Sequence, residues 1–381
     1  MRNVPRILIL AVVASIMGLP ASRAEDWHDP SPHQIRFVTV QPGVKIETLD
    51  WGGTGRPLIL IAGAGDTAHA FDDFALLLRP HFHVYGVTRR GYGDSSMPRS
   101  GYDADRLGDD VVAVIRTLNI KKPILMGHSF GGQEVSDIAT RHPSLIAGAI
   151  YLDAVYSYDA ASDKEALYWN VEWRQQIEAL QKHLAELLEN PFDSRPVATA
   201  LRDRDLPAAQ KIAENLLRVD RARPAWVDPQ PADLQSFPAL REWYHRVMRL
   251  YLPEAEFRQM QATLPDGRPS SESRAPDWVG SAIMAGRKSF HHIGVPALYI
   301  GAEDNVPADY DKNDPEARAD AEAYIAYQHG WIERRTVRFM SDAPNGRLVI
   351  LKGASHMVFA SNPQDVLRES LSFADSLPAP R

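Results

Sequence analysis

The sequence predicts an α/β protein built on a mostly parallel sheet, with a helical segment inserted between two of its strands. Three observations carry that expectation. Short apolar runs (Pro57-Leu58-Ile59-Leu60-Ile61-Ala62, Pro123-Ile124-Leu125-Met126, Ile146 to Leu152, Val295 to Ile300) read as strands buried on both faces. Helical patterns separate the early runs, and strands alternating with helices mean a parallel sheet. Between Ala154 and Phe290 the alternation stops, leaving helical patterns and Pro-rich breaks only.

In chain order, the alternation of Ile35, Phe37, Val40, then Val44, Ile46, Leu49 suggests two antiparallel edge strands joined at Pro42-Gly43. The first buried strand ends in the small-residue loop Ala62-Gly63-Ala64-Gly65-Asp66, followed by a helix from Phe71 to Leu78. A strand over 82–87 leads into Thr88-Arg89-Arg90-Gly91-Tyr92-Gly93-Asp94-Ser95. Leu107, Val111, Val114, Ile115 and Leu118 share one face of a helix over 105–118. In the insertion, Ile177, Leu180, Leu184 and Leu187 recur at helical spacing within a pattern over 161–189. Its aromatic residues, Trp169, Trp173, Trp226, Trp243 and Tyr244, read as packing of the insertion itself or as pocket lining. The sheet resumes at Val295, and after a helix over 315–340 the last strand (347–351) and a final helix (363–377) close the chain.

The chain has 381 residues, 44% apolar and 24% charged, enough for one large domain with an insertion. Its net charge of −7 and lack of a Lys/Arg cluster argue against a nucleic-acid partner. At the N-terminus, Arg2 and Arg6 precede the apolar run Ile7 to Leu19, then Pro20 and Ser22-Arg23-Ala24. This is the pattern of a secretory signal peptide cleaved after Ala24. The run is short for a bilayer span. The expectation is a periplasmic or secreted protein without stable membrane insertion after cleavage. The chain contains no cysteine, so an exported fold must be held by its core alone. The domain reading is residues 1–24 as leader, 25–153 and 291–381 as the α/β core, and 154–290 as a helical lid.

The chemistry centres on Gly127-His128-Ser129-Phe130-Gly131-Gly132, where a buried run meets a helical pattern. Gly-x-Ser-x-Gly between a strand and a helix is a nucleophile elbow: the tight turn exposes the serine hydroxyl and leaves no room for side chains at the glycines. A serine hydroxyl needs a base within hydrogen-bond reach, and that base, a histidine, needs a carboxylate to fix its tautomer. In a parallel sheet these groups must come from loops at the C-terminal ends of strands. Such loops supply Ser129, Asp304 after the next-to-last strand and His356 after the last. Asp304 is the preferred acid, and Asp153, closing Ile150-Tyr151-Leu152-Asp153, is the alternative.

Together with Gly301-Ala302-Glu303-Asp304, Gly353-Ala354-Ser355-His356 and the Arg89-to-Ser95 stretch, these motifs make the chain resemble the α/β-hydrolase fold superfamily, in its serine-nucleophile branch with a helical cap. The resemblance spans nearly everything from Ile35 onward except the insertion. It implies an eight-stranded, mostly parallel sheet and an oxyanion hole. One donor would be the backbone N–H of Phe130, and the other that of Ala64 or Gly65. There the chain departs from the family's common His-Gly pair, with Ala62-Gly63 in its place.

The expected function is an exported serine hydrolase acting on a carboxylic ester or lactone through an acyl-enzyme. The alternatives are an aminopeptidase or amidase of the proline iminopeptidase type, and a binding protein on the same scaffold. Serine at the nucleophile position argues against epoxide hydrolases and haloalkane dehalogenases, which use a carboxylate there. No cofactor and no metal are expected. Asp309-Tyr310-Asp311-Lys312-Asn313-Asp314 has the opening of a calcium loop but lacks its glycine, and Asp314 with Pro315 fits a helix start instead. His291-His292 has no carboxylate cluster in sequence beside it.

Overall fold

The computed structural model describes residues 27–154, 171–189, 194–224, 227–303 and 310–378; the expected leader lies outside them. Strands β1 (Gln34–Gln41) and β2 (Val44–Gly52) form the antiparallel hairpin expected from their alternation. Gly43 closes it at φ +76°, a left-handed conformation that costs glycine little. Strands β3 (Arg56–Ile61), β4 (Phe82–Val87), β5 (Ile124–His128) and β6 (Gly148–Leu152) follow. The insertion carries a short antiparallel pair, β7 (Gln261–Thr263) and β8 (Pro269–Ser273), where the sequence shows only helical patterns and Pro-rich breaks. Strands β9 (Ala297–Glu303) and β10 (Gly346–Lys352) complete the main sheet.

That sheet has eight strands in the order β1-β2-β4-β3-β5-β6-β9-β10. The β1–β2 and β2–β4 pairings are antiparallel, and all pairings from β4 to β10 are parallel. Every residue of β5 and β6 is buried, as continuous apolar runs require when helices cover both faces. Side chains alternate between two cores. Leu58 and Leu60 join Phe74, Leu78, Val366 and Phe373 on one face, while Ile59 and Ile61 join Val111, Ile115 and Ile138 on the other. Burying each such side chain contributes about 1.5–3 kcal/mol, so a one-residue slip of β3, which exchanges the two sets, is strongly disfavoured.

The helices that cover the sheet are α1 (Asp72–Leu78), α2 (Ala104–Thr117) and α3 (Gly131–Arg141). In the insertion they are α4 (Val171–Glu189), α5 (Arg195–Ala200), α6 (Leu206–Ala222), α7 (Phe237–Met248), α8 (Glu254–Met260) and α9 (Asp277–Ala285). After β9 come α10 (Pro315–Asp342), the single turn α11 (Val358–Ser361) and α12 (Pro363–Ser376). Asp314 caps α10 by accepting the Glu316 N–H at 2.9 Å, with Pro315 at the first helical position. Phe237, Leu240, Trp243 and Tyr244 of α7 pack into the first core, so Trp243 and Tyr244 are largely buried. Trp169 and Trp226, and the side chain of Trp173, lie outside the described residues.

Candidate active site

The turn after β5 is built by exclusion of side chains. A Cβ on Gly127 would stand 2.5 Å from the Gly131 carbonyl oxygen, and one on Gly131 would stand 2.4 Å from that of Ile61. Between them Ser129 adopts φ +49°, a left-handed conformation unfavourable for a side-chain-bearing residue. The Ser129 N–H donates to the Leu152 carbonyl at 3.2 Å, which ties the elbow to the end of β6. Phe130 then opens α3, whose N-terminal dipole lies beside the hydroxyl.

Two more strand ends deliver the partners. His356, past the turn after β10, places Nε2 2.9 Å from Ser129 Oγ. Its Nδ1 lies 2.6 Å from Oδ2 of Asp153, which follows β6 and also has positive φ, +41°. The carboxylate on His356 is therefore Asp153, where the sequence analysis preferred Asp304. A neutral imidazole has one N–H at Nδ1, and Asp153 accepts it; Asp304 lies outside the described residues.

Burial alone would raise the Asp153 pKa, but the Arg335 guanidinium and the hydrogen bond to His356 hold it well below the usual carboxylate range. Arg335 Nη2 stands 2.5 Å from Asp153 Oδ1, and the Ala302 N–H donates to the same oxygen at 3.1 Å. Asp153 is thus an ionised, fully oriented acceptor.

A second layer fixes the loops around these three residues. His128 is buried and its ring nitrogen Nε2 donates to the His356 carbonyl at 3.1 Å. Burial and the His356 charge pull the His128 pKa down to about 3, so the ring is neutral and the donor assignment follows from the acceptor. Arg89 is also buried. Its guanidinium donates to the carbonyls of Gly63 and Ala62, both at 2.9 Å, and pairs through Nε with Glu134 on α3. Across a trans peptide the N–H points opposite to the C=O, so anchoring the Gly63 carbonyl on Arg89 turns the Ala64 N–H away from it. Burial raises the Tyr92 pKa, against the opposing effects of Arg89 and the Gly65 backbone.

The same loop carries two buried acids. Burial raises Asp66 to about 6, against the opposing charges of His356 and Arg89. Burial and the neighbouring Asp66 raise Glu256 to about 8. Glu256, on α8, accepts the Thr67 N–H at 2.9 Å and the Thr67 hydroxyl at 2.5 Å, so the insertion grips the loop that follows β3.

Sequence reasoning passed over Arg335, Arg89, His128 and Glu256 as site residues. Arg89 and His128 stood inside quoted motifs, where their charge and position were a usable signal. Arg335 and Glu256 had none, because each reaches its partner only through the tertiary fold.

Comparison with known proteins agrees with this architecture. A family model described as "Alpha/beta hydrolase family" matches residues 58–369. A bifunctional esterase/perhydrolase of Acinetobacter calcoaceticus is 34% identical over 122 residues, 31% of this chain and 44% of that protein. A 2-(acetamidomethylene)succinate hydrolase of Mesorhizobium japonicum is 31% identical over 101 residues, 26% of this chain and 36% of that protein. The matched stretches thus span less than half the length of these relatives. Among solved structures, an E-2-(acetamidomethylene)succinate hydrolase superposes with a TM-score of 0.55 at 18% identity, covering 90% of this chain and 100% of the other. An esterase from a Rhodococcus species gives 0.51 at 17% identity, covering 90% and 99%. At such identities the likeness is one of fold.

Proposed function

Because the chain belongs to the alpha/beta hydrolase family, we propose that it is an exported serine hydrolase cleaving a carboxylic ester or lactone through an acyl-enzyme. The observation that carries this reading is the continuous hydrogen-bonded relay from Ser129 Oγ through His356 to Asp153, at 2.9 and 2.6 Å. His356 Nε2 takes the Ser129 proton as the oxygen attacks the carbonyl carbon, and Asp153 stabilises the imidazolium that forms. The tetrahedral oxyanion is held by the backbone N–H groups of Phe130 and Ala64. Ala64 is chosen over Gly65 because Arg89, by holding the Gly63 carbonyl, fixes the peptide that carries the Ala64 N–H. His356 then protonates the leaving alkoxide, and water, deprotonated by the same nitrogen, releases the acid and restores Ser129. An ester or lactone asks least of this site, since an alkoxide leaves far more readily than an amide nitrogen and depends less on that proton.

The insertion acts as a cap. Its grip on the strand-end loops supports this: Glu256 holds Thr67, Arg274 pairs with Asp94 at 2.5 Å, and the Tyr244 hydroxyl meets the Met357 sulfur at 3.3 Å, next to His356. Residues 1–24 serve as a cleaved leader, a reading supported by their basic, apolar and small-residue order.

Labelling with a fluorophosphonate probe, read by peptide mass spectrometry, tests the reading. A single adduct on Ser129 that is absent in Ser129→Ala is the expected result; no adduct on the folded protein would count against it.

A further inference from the structure

On the far side of the loop after β3, four side chains converge that the relay does not use. Asp29 and His33 come from the segment before β1, His69 from the helical turn 68–71, and Asp72 from the first residue of α1. Each offers one donor atom, and these atoms lie within 4.8 Å of one another. We propose that Asp29, His33, His69 and Asp72 bind one divalent transition-metal cation, zinc above all, as a structural clamp separate from the hydrolytic site.

The two separations around His69 match the edges of a tetrahedral ion, and the four donors lie close enough for small side-chain rotations to complete it. Zinc bonds of about 2.0–2.1 Å to nitrogen and oxygen imply donor–donor edges of about 3.3 Å. His69 Nδ1 stands 3.1 Å from Asp29 Oδ2 and 3.3 Å from Asp72 Oδ2, two separations of that size, while His33 Nδ1 stands 3.0 Å from the other Asp72 oxygen, Oδ1. From the other ring nitrogen, His33 Nε2 stands 3.7 Å from Asp29 Oδ2. Three of the four side chains are at most 3% exposed, and Asp29 is 17% exposed. Two imidazoles and two carboxylates form a neutral set around a dication, and a mixed nitrogen and oxygen donor set of this shape suits zinc over magnesium or calcium.

The surroundings look like an outer shell. The Ser31 N–H donates to Asp29 Oδ1 at 2.9 Å, leaving Oδ2 turned to the cluster. The Trp51 indole N–H donates to Asp72 Oδ1 at 3.0 Å. Behind His69, its Nε2 faces Oε1 of the wholly buried Glu47 at 3.6 Å, and both atoms lack a hydrogen-bond partner. Glu47 is itself steadied by the Thr88 hydroxyl at 2.7 Å. A metal on Nδ1 fixes the proton on Nε2, which then donates to Glu47; a carboxylate behind a ligating histidine is the usual arrangement of metal sites. Such an ion would pin the arm over 29–33 to the turn two residues beyond Thr67, and so brace the loop that bears Ala64.

The test uses the untagged mature chain, stripped with chelator and then titrated with zinc chloride in a calorimeter. The expected result is one zinc per chain, a raised melting temperature, and d–d bands of tetrahedral intensity when cobalt(II) replaces zinc. Asp29→Asn and His33→Gln, both on the arm outside the sheet, abolish that single binding event. Glu47→Gln weakens it by about 10–100-fold. Absence of stoichiometric binding by the folded wild type, or binding unchanged in both arm variants, would show that the cluster is an ion-pair network only and overturn the proposal.

Discussion

Asp153 Oδ2 and His356 Nδ1 stand 2.6 Å apart, joining the end of β6 to the loop after β10. A carboxylate at this position sets which imidazole nitrogen faces Ser129. Asp153→Asn should therefore leave the fold intact and lower kcat by about 10⁴-fold, the cost of presenting the wrong tautomer. Asp304→Asn should retain most of the activity. Ester turnover by the two purified variants, side by side, checks the assignment.

Arg89 is buried and reaches the loop proposed to bear an oxyanion donor only through that loop's backbone. It holds the carbonyls of Ala62 and Gly63. In Arg89→Lys the ammonium keeps the charge opposite Glu134 but lacks the planar fork that reaches both carbonyls. The expected outcome is a fall in kcat approaching that for loss of an oxyanion donor, about 10²–10³-fold, with KM little changed. A KM effect alone would assign Arg89 to substrate binding instead.

The elbow has no spare volume at Gly131. Its substitution by alanine would place a Cβ 2.4 Å from one backbone carbonyl oxygen and 2.9 Å from another. Neither can move without displacing β3, so Gly131→Ala should cost at least about 1–3 kcal/mol in urea unfolding. It should also lower turnover, since the same shift moves the loop bearing Ala64.

Glu256 gives the fold a pH dependence of definite sign. Its native pKa is raised to about 8 by burial and by Asp66, whereas an unfolded glutamate titrates near 4.3. Between those values the native state binds more protons than the unfolded state, so this contribution is full below about pH 4 and lost as pH rises through about 8. Glu256→Gln removes the loss. The variant should melt close to wild type at pH 5 and above it at pH 9, read by thermal unfolding across that range.

Much of this architecture was legible in the chain because it is local. The runs around Leu58, Ile124 and Ile150 carry their own burial pattern, and the elbow confines serine and glycines to six consecutive residues. His356 was readable because it follows the last strand, a fixed place in this topology. The choice between Asp153 and Asp304 was not readable, since each follows a strand of the parallel sheet and nothing in the residue pattern separates them. Arg335 lies 182 positions from Asp153, and no periodicity marks it. The β7–β8 hairpin escaped notice because Gln261–Thr263 and Pro269–Ser273 are half-exposed and polar. Asp29, His33, His69 and Asp72 were passed over for a similar reason: they come from separate segments and share no ligand spacing.

Hydrolysis of p-nitrophenyl esters from acetate to decanoate, by wild type and Ser129→Ala, tests the central claim most directly. Turnover of at least one chain length by wild type, falling to background in Ser129→Ala while its melting temperature is retained, is the predicted result. Ester hydrolysis that survives the substitution would contradict the assignment of Ser129 as nucleophile.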